Sequence, residues 1–145
     1  MKLIILISAA MFLASSAVAQ SGRCSEQNIR RMHSQRAALQ ESADAYFYSG
    51  ALDKPIIGAA NRKQNAKQVT AARKNAKQYP DVPQKIVASA DGSMAYEYGT
   101  SRITYDDVST GKHVDFQTAY LEVLSAEGDA CKIVATMAQP IGSGR

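Results

Sequence analysis

Tryptophan is absent from this 145-residue chain, and its whole aromatic complement is three phenylalanines and seven tyrosines. Histidine and cysteine occur twice each, at His33 and His113 and at Cys24 and Cys131. Pairs so far apart do not make the short-spaced ligand sets of a zinc site, so no metal is expected. No G-x-S-x-G nucleophile motif is present. Gly111-Lys112 is followed by His113, and Asp106 stands where a phosphate loop needs its first glycine. Long apolar runs are missing as well. The one from Leu3 to Leu13 falls short of the ~20 residues that span a membrane.

That short run belongs to a different pattern. "MKLIILISAAMFLASSAVAQ" has one cation, Lys2, then the apolar run, then small residues ending in Ala17-Val18-Ala19. This fits a secretory leader, Met1–Ala19, removed at a small-x-small site. Arg23 just before Cys24 does not suit a lipoprotein signal. The expectation is a bacterial protein exported to the periplasm or secreted, with one domain over Gln20–Arg145 and no membrane contact after cleavage. In an oxidising compartment Cys24 and Cys131 make one bridge, worth roughly 4–5 kcal/mol for a loop of this length. The alternative is two separate buried thiols.

Charge is divided unevenly. Arg23 to Lys77 holds 11 basic and 4 acidic residues, and Gln78 to Arg145 holds 5 basic and 9 acidic. A basic half attracts nucleic acid in other settings. Export and the lack of interleaved aromatics argue against that partner here, and the cations read as the solvated face of a helix.

Ser25 to Gln40 reads as a helix capped by Ser25, with Ile29, Met32 and Leu39 at helical spacing. A short strand follows at Asp44–Gly50. Ala59 to Gln78 is rich in Ala, Lys and Gln and free of Gly and Pro, and reads as a second helix ending before Pro80. After Pro83 the pattern is all strand: Gln84–Ala88, Met94–Tyr105, Lys112–Ser125 and Ala130–Pro140, joined by short turns. Segregated elements of this kind predict an α+β fold, a curved antiparallel sheet with helices on its concave face.

"DGSMAYEYGTSRITYDDVSTGK" and "AYLEVLSAEGDACKIVATMAQP" resemble the SnoaL-like and ketosteroid isomerase-like branch of the nuclear transport factor two-like superfamily. "ADAYFYSGALDKPIIGAANRKQ" is similar to the stretch that leads into a helix in those domains. The resemblance covers Ala43–Pro140 and implies a cone-shaped, barrel-like domain. The N-terminal helical part is shortened, with room for about one helix where the family has two. The family's usual tryptophan in the last strand is replaced by Cys131. The resemblance also implies a homodimer through the convex sheet face, and in some relatives a cavity carboxylate acting as base beside a tyrosine.

Register decides which side chains line such a cavity. If the Asp106–Gly111 loop pairs Tyr105 with His113, then Tyr98 faces Tyr120 and Tyr96 faces Glu122. Gly99 is the position where a bulge would shift this by one. If the "AEGD" loop pairs Ser125 with Ala130, then Leu124 faces Cys131 and Thr118 faces Met137. This register gathers Tyr96, Tyr98, Phe116, Tyr120 and Met137 under the helices as ligand-binding residues, with Glu97, Gly99 and Asp115 on the other face. Two readings compete, a plain aromatic core and a cleft for a small apolar or aromatic molecule.

Function follows the same division. The leading expectation is a ligand-binding or dimeric interaction module without a cofactor. The rival is an isomerase, cyclase or hydrolase-type enzyme with Glu122 or Asp44 as acid/base beside a tyrosine. Against catalysis, Thr136 occupies a last-strand position where relatives often carry an acid. His113 and Asp115 read as the hydrated end of a hairpin.

Overall fold

The computed structural model describes residues 22–35, 39–50 and 52–142, so the expected leader lies outside the described residues. The elements are α1 (Glu26–Ser34), β1 (Gln40–Ser49), β2 (Ile56–Ile57), α2 (Ala59–Ala71), β3 (Arg73–Gln78), β4 (Val82–Ala88), β5 (Met94–Asp107), β6 (His113–Glu127) and β7 (Ala130–Ile141). The strands form one curled sheet in the order β2-β1-β7-β6-β5-β3, with β4 also pairing to β5. The expected α+β architecture is present, with a mixed sheet, because β1 runs parallel to β7.

Both helices differ from the sequence expectation in length. Ser25 caps α1 by accepting the Asn28 amide, as expected. The helix nevertheless stops at Ser34, and from Gln40 the chain is already strand, paired with Lys132 of β7. Strand β1 is therefore ten residues long and not the short Asp44–Gly50 piece. The second helix ends at Ala71, and the next residues turn back as β3 against the far end of β5. Helix propensity in "ARKNAKQ" is worth only tenths of a kcal/mol per residue. The open backbone of a fourteen-residue β5 outweighs it. Arg73 stacks over Tyr105 at 4.3 Å, and Asn75 takes the left-handed conformation, φ 52°, that asparagine tolerates.

The hairpins set the faces of the sheet. The carboxylate of Asp107 accepts from the amides and hydroxyls of Ser109 and Thr110, and Gly111 closes the loop at φ 68°. Asp107 is thereby drawn into the turn, and Asp106, not Tyr105, pairs with His113. The shift by one carries through the ladder without a bulge at Gly99: Tyr98 faces Leu121, Tyr96 faces Val123 and Glu97 faces Glu122. At the β6–β7 hairpin Glu127 pairs with Ala130, two residues tighter than expected, which keeps Cys131 and Ile133 on the concave side. An irregularity opposite Val123 and Leu124 then inserts Val134 and turns Met137 outward.

The core is small and lies on the concave face under α1. It consists of Cys24, Ile29, Ile86, Ala95, Leu124, Cys131 and Ile133. Cys24 and Cys131 are disulfide-bonded, 107 residues apart in the chain and both buried. Around the bond, the Cys24 amide donates to the Gly92 carbonyl, and Arg23 pairs with Asp129 at 2.7 Å. Gly22 and Gly92 approach so closely that a Cβ on either would collide with the other's backbone. A core with few large side chains makes the cross-link a principal restraint on α1. Complete reduction is expected to remove about 3–5 kcal/mol of stability, read as a lower urea midpoint. An unchanged midpoint would show that the bond does not carry α1.

Candidate functional site

Side chains on the concave face lie in rows that run across the strands. Ala88, Ala95, Leu124 and Ile133 form an apolar row that belongs to the core. The next row carries Ile86, Glu97, Glu122, Thr136 and Phe47 on five neighbouring strands. Beyond it Gly99, Tyr120 and Ala138 stand side by side. The change from apolar to acidic between adjacent rows marks where core ends and site begins.

Two helices bring further groups to these rows. From the last turn of α1, His33 Nε2 lies 3.0 Å from both carboxylate oxygens of Glu97, whose side chain is completely buried. From α2, the Arg62 guanidinium lies over the Phe47 ring, 3.2 Å from its centroid, with Nε 3.4 Å from Glu41. Asp81, just before β4, is exposed at the rim.

Like charges directly opposite on antiparallel strands repel, and Glu97 and Glu122 are such a pair. Burial pushes the Glu122 carboxyl up to about 7, reinforced by the negative charges of Glu97 and Asp81. The Thr136 hydroxyl, donating at 3.3 Å, and His33 oppose the shift. His33 is itself raised, chiefly by its hydrogen bond to Glu97, which favours its protonated form. Desolvation of its carboxyl against the site likewise raises Asp81, although the residue as a whole is exposed. The site thus holds a carboxyl that gains and loses a proton near neutrality, next to one engaged by histidine.

Tyr120 supplies a donor. Its hydroxyl is buried and has no hydrogen-bond partner among the described residues. It rests against the backbone of Gly99, where a Cβ would crowd the hydroxyl and collide with the Val82 carbonyl. Burial, and then Glu97, Asp81 and Glu122, raise its pKa, so the phenol keeps its proton and can only be neutral. Tyr120 and Glu122 are two apart on one strand, about 6–7 Å along β6.

Of the residues named from sequence, Glu122, Tyr120 and Phe116 lie on the concave side, Phe116 two rows nearer the hairpin, opposite Ile103. Tyr96, Tyr98 and Met137 do not, which corrects the expected register. They are on the convex side, 42%, 41% and 50% exposed, because the Asp107 turn and the Val134 irregularity each change the parity. Asp44 is exposed and accepts the Ser42 hydroxyl at 2.8 Å. Glu97, His33, Arg62 and Asp81 were not among the sequence candidates. Reading the Asp-x-Ser-Thr-Gly turn as a four-residue loop would have put Glu97 opposite Glu122. Among the described residues no group of three or more His, Cys, Asp or Glu is disposed to hold a metal ion.

No protein-family model matches the chain, and no curated protein matches it either. Solved structures do match. The chain is similar to a ketosteroid isomerase-like protein from Erwinia carotovora atroseptica SCRI1043, with a TM-score of 0.60 and 9% identity over 72% of this chain and 78% of that one. It is also similar to hexachlorocyclohexane dehydrochlorinase LinA-type3 from Novosphingobium barchaimii LL02, with a TM-score of 0.58 and 10% identity over 78% and 75%. A third is an NTF2-like protein with a cystatin-like fold from Novosphingobium aromaticivorans, with a TM-score of 0.52 and 13% identity over 72% and 67%. The fold is the one that the sequence motifs resemble.

A partly buried carboxyl raised from 4.5 to about 7 binds a proton on folding. Its contribution favours the folded state below the unfolded pKa and is lost as pH rises through 7, a change on the order of 3 kcal/mol. Raised His33 has the same sign. Glu122→Gln is therefore expected to raise the urea midpoint at pH 8 and to gain little at pH 4.5. Equal gains at both values would show that Glu122 titrates normally.

Proposed function

We propose that this protein is an enzyme that moves a proton on a small organic molecule held on the concave face. Glu122 takes and returns the proton, and Tyr120 donates a hydrogen bond to the oxygen that gains charge. The observation that supports this reading is the pairing, one row apart, of a partly buried carboxyl near neutrality with a buried hydroxyl that has no hydrogen-bond partner among the described residues. A base is most effective when its pKa is close to the working pH. A neutral phenol in a water-poor site stabilises an oxyanion without reorganising.

In such a reaction the C–H bond beside a carbonyl or a leaving group breaks and the proton passes to the Glu122 carboxylate. The electron pair moves onto the carbonyl oxygen, toward the Tyr120 hydroxyl, or expels the leaving group. Protonated Glu122 then delivers the proton to a second carbon or to solvent. His33 acts as a positioning residue, holding Glu97 in place so that its charge keeps the Glu122 pKa high. Isomerases and eliminating enzymes work in this way, and two of the structural neighbours carry names from those classes. At 9–10% identity they support the fold, and the chemistry rests on Glu122 and Tyr120. The disulfide fits the exported setting that the leader-like segment implies.

The test is deuterium uptake by β,γ-unsaturated and aryl ketones in heavy water, followed by NMR. Wild-type protein should accelerate exchange, with kcat/KM rising through pH 7. Glu122→Gln should lower it by about 100-fold or more, and Tyr120→Phe by about tenfold to a hundredfold. Full activity in Glu122→Gln would overturn the assignment.

A second reading concerns the convex face, where the displaced residues gather. Tyr46, Ala135, Val123, Tyr96 and Val87 form one cross-strand row, and Tyr48, Met137, Leu121 and Tyr98 the next. A groove of about 530 Å³, lined by Val87, Met94, Tyr96, Leu121 and Val123 among others, lies along them. A band this apolar across five strands suits a second copy of the chain, since stable dimers cover ~800 Å² on each partner. The homodimer is expected to sediment at twice the chain mass and Leu121→Arg as a monomer. A wild-type monomer at micromolar concentration would sink the idea.

A further inference from the structure

We infer that Arg62 anchors the anionic end of the substrate, an organic carboxylate, at the α2 side of the concave site. The inference rests on the concave face being the substrate site and adds the class of molecule.

Arg62 is held in a way that leaves its binding edge free. Its guanidinium is stacked on Phe47, and Nε makes one long contact, 3.4 Å, to Glu41. Neither terminal nitrogen donates to any described residue. A guanidinium has five donors, and its outer fork matches the two oxygens of a carboxylate. Stacking on a ring fixes the plane of that fork before anything binds. The side chain is 31% exposed, enough for a ligand to reach it.

Its surroundings set the ligand's charge and length. Glu41, Asp81, Glu97 and Glu122 make the lining acidic, and among the described residues its cations are His33 and Arg62. His33 is committed to Glu97 at 3.0 Å. Arg62 therefore remains as the group that can offset an anion brought in by a ligand. Phe47 faces Thr136, and Thr136 faces Glu122, so the platform under Arg62 is two strands from the proton-transferring carboxyl. At ~4.8 Å per strand that is about 10 Å between backbones, a span suited to a small aromatic or short aliphatic acid. Glu41, half-exposed, is the side chain the ligand carboxylate would displace.

Benzoate is the probe, with benzyl alcohol as its uncharged counterpart, titrated into the oxidised full-length chain and followed by amide NMR shifts. Benzoate should move amides around Phe47, Arg62 and Thr136. Arg62→Gln should weaken it by about tenfold to a hundredfold, the worth of a charged hydrogen-bonded pair. Arg62→Lys should fall between, since it keeps the charge and loses the fork. Glu41→Gln, which removes the competing carboxylate, should bind benzoate severalfold more tightly, and it tests the idea even if Arg62→Gln unfolds. Benzyl alcohol should bind wild type and Arg62→Gln alike. The inference fails if benzoate does not bind wild type, binds Arg62→Gln equally well, or moves only the convex groove around Tyr96 and Leu121. The Glu122 carboxyl titration reports separately in the same samples. An ordinary value there would overturn the proton-transfer reading and leave the anchor standing.

Discussion

Glu97 on β5 and Glu122 on β6 stand directly opposite each other in an antiparallel ladder, both turned toward the concave side. Two carboxylates so placed cannot both be charged in a dry environment at no cost. The surroundings answer this asymmetrically. One carboxyl receives a histidine from α1, while the other receives only a threonine hydroxyl and a higher pKa. The two acids therefore sit in unequal surroundings, one bonded to a histidine and the other to a threonine hydroxyl. A sheet meant only to be stable would place a hydrocarbon at one of the two positions.

The unequal treatment depends on where α1 lies, and α1 is nine residues long with a single fully buried large side chain, Ile29. Helices of that length do not persist on their own. The disulfide, the Gly22–Gly92 approach and the Arg23–Asp129 pair together clamp its N-terminal end to β7 and the turn before β5. His33, one helix length away, inherits that placement. The covalent bond at one end of the concave face and the carboxyl pair at its centre are thus parts of one arrangement.

The sequence carried the architecture well, because long strands of alternating character separated by Gly- and Asp-rich turns are hard to mistake. The order of the last four strands, the capped first helix and the bonded cysteines were legible for that reason. Faces were another matter. Alternation along β5 gives two equally good sets, and only the turn decides between them. The Asp107 carboxylate made that decision through contacts to Ser109 and Thr110, which a loop-length estimate ignores. One residue of slip exchanged Glu97 for Tyr96 and Tyr98. β3 was lost for the opposite reason: its residues prefer helix locally, and only the waiting edge of β5 overrides them. His33 and Arg62 were beyond reach of sequence reading, since each acts through a partner far away in the chain.

The parallel pairing of β1 with β7 has a temporal meaning. Strand β1 is made early, but its partner is among the last residues of the chain. Cys24 likewise waits 107 residues for Cys131. The meander β4 to β7 can close hairpin by hairpin, while β1 stays without its main partner until β7 is in place. Contacts this distant in sequence slow folding. The chain therefore completes its sheet only when β7 pairs with β1. Its concave site, assembled from helices of the first half over strands of the second, would come into being only with the arrival of the final strand.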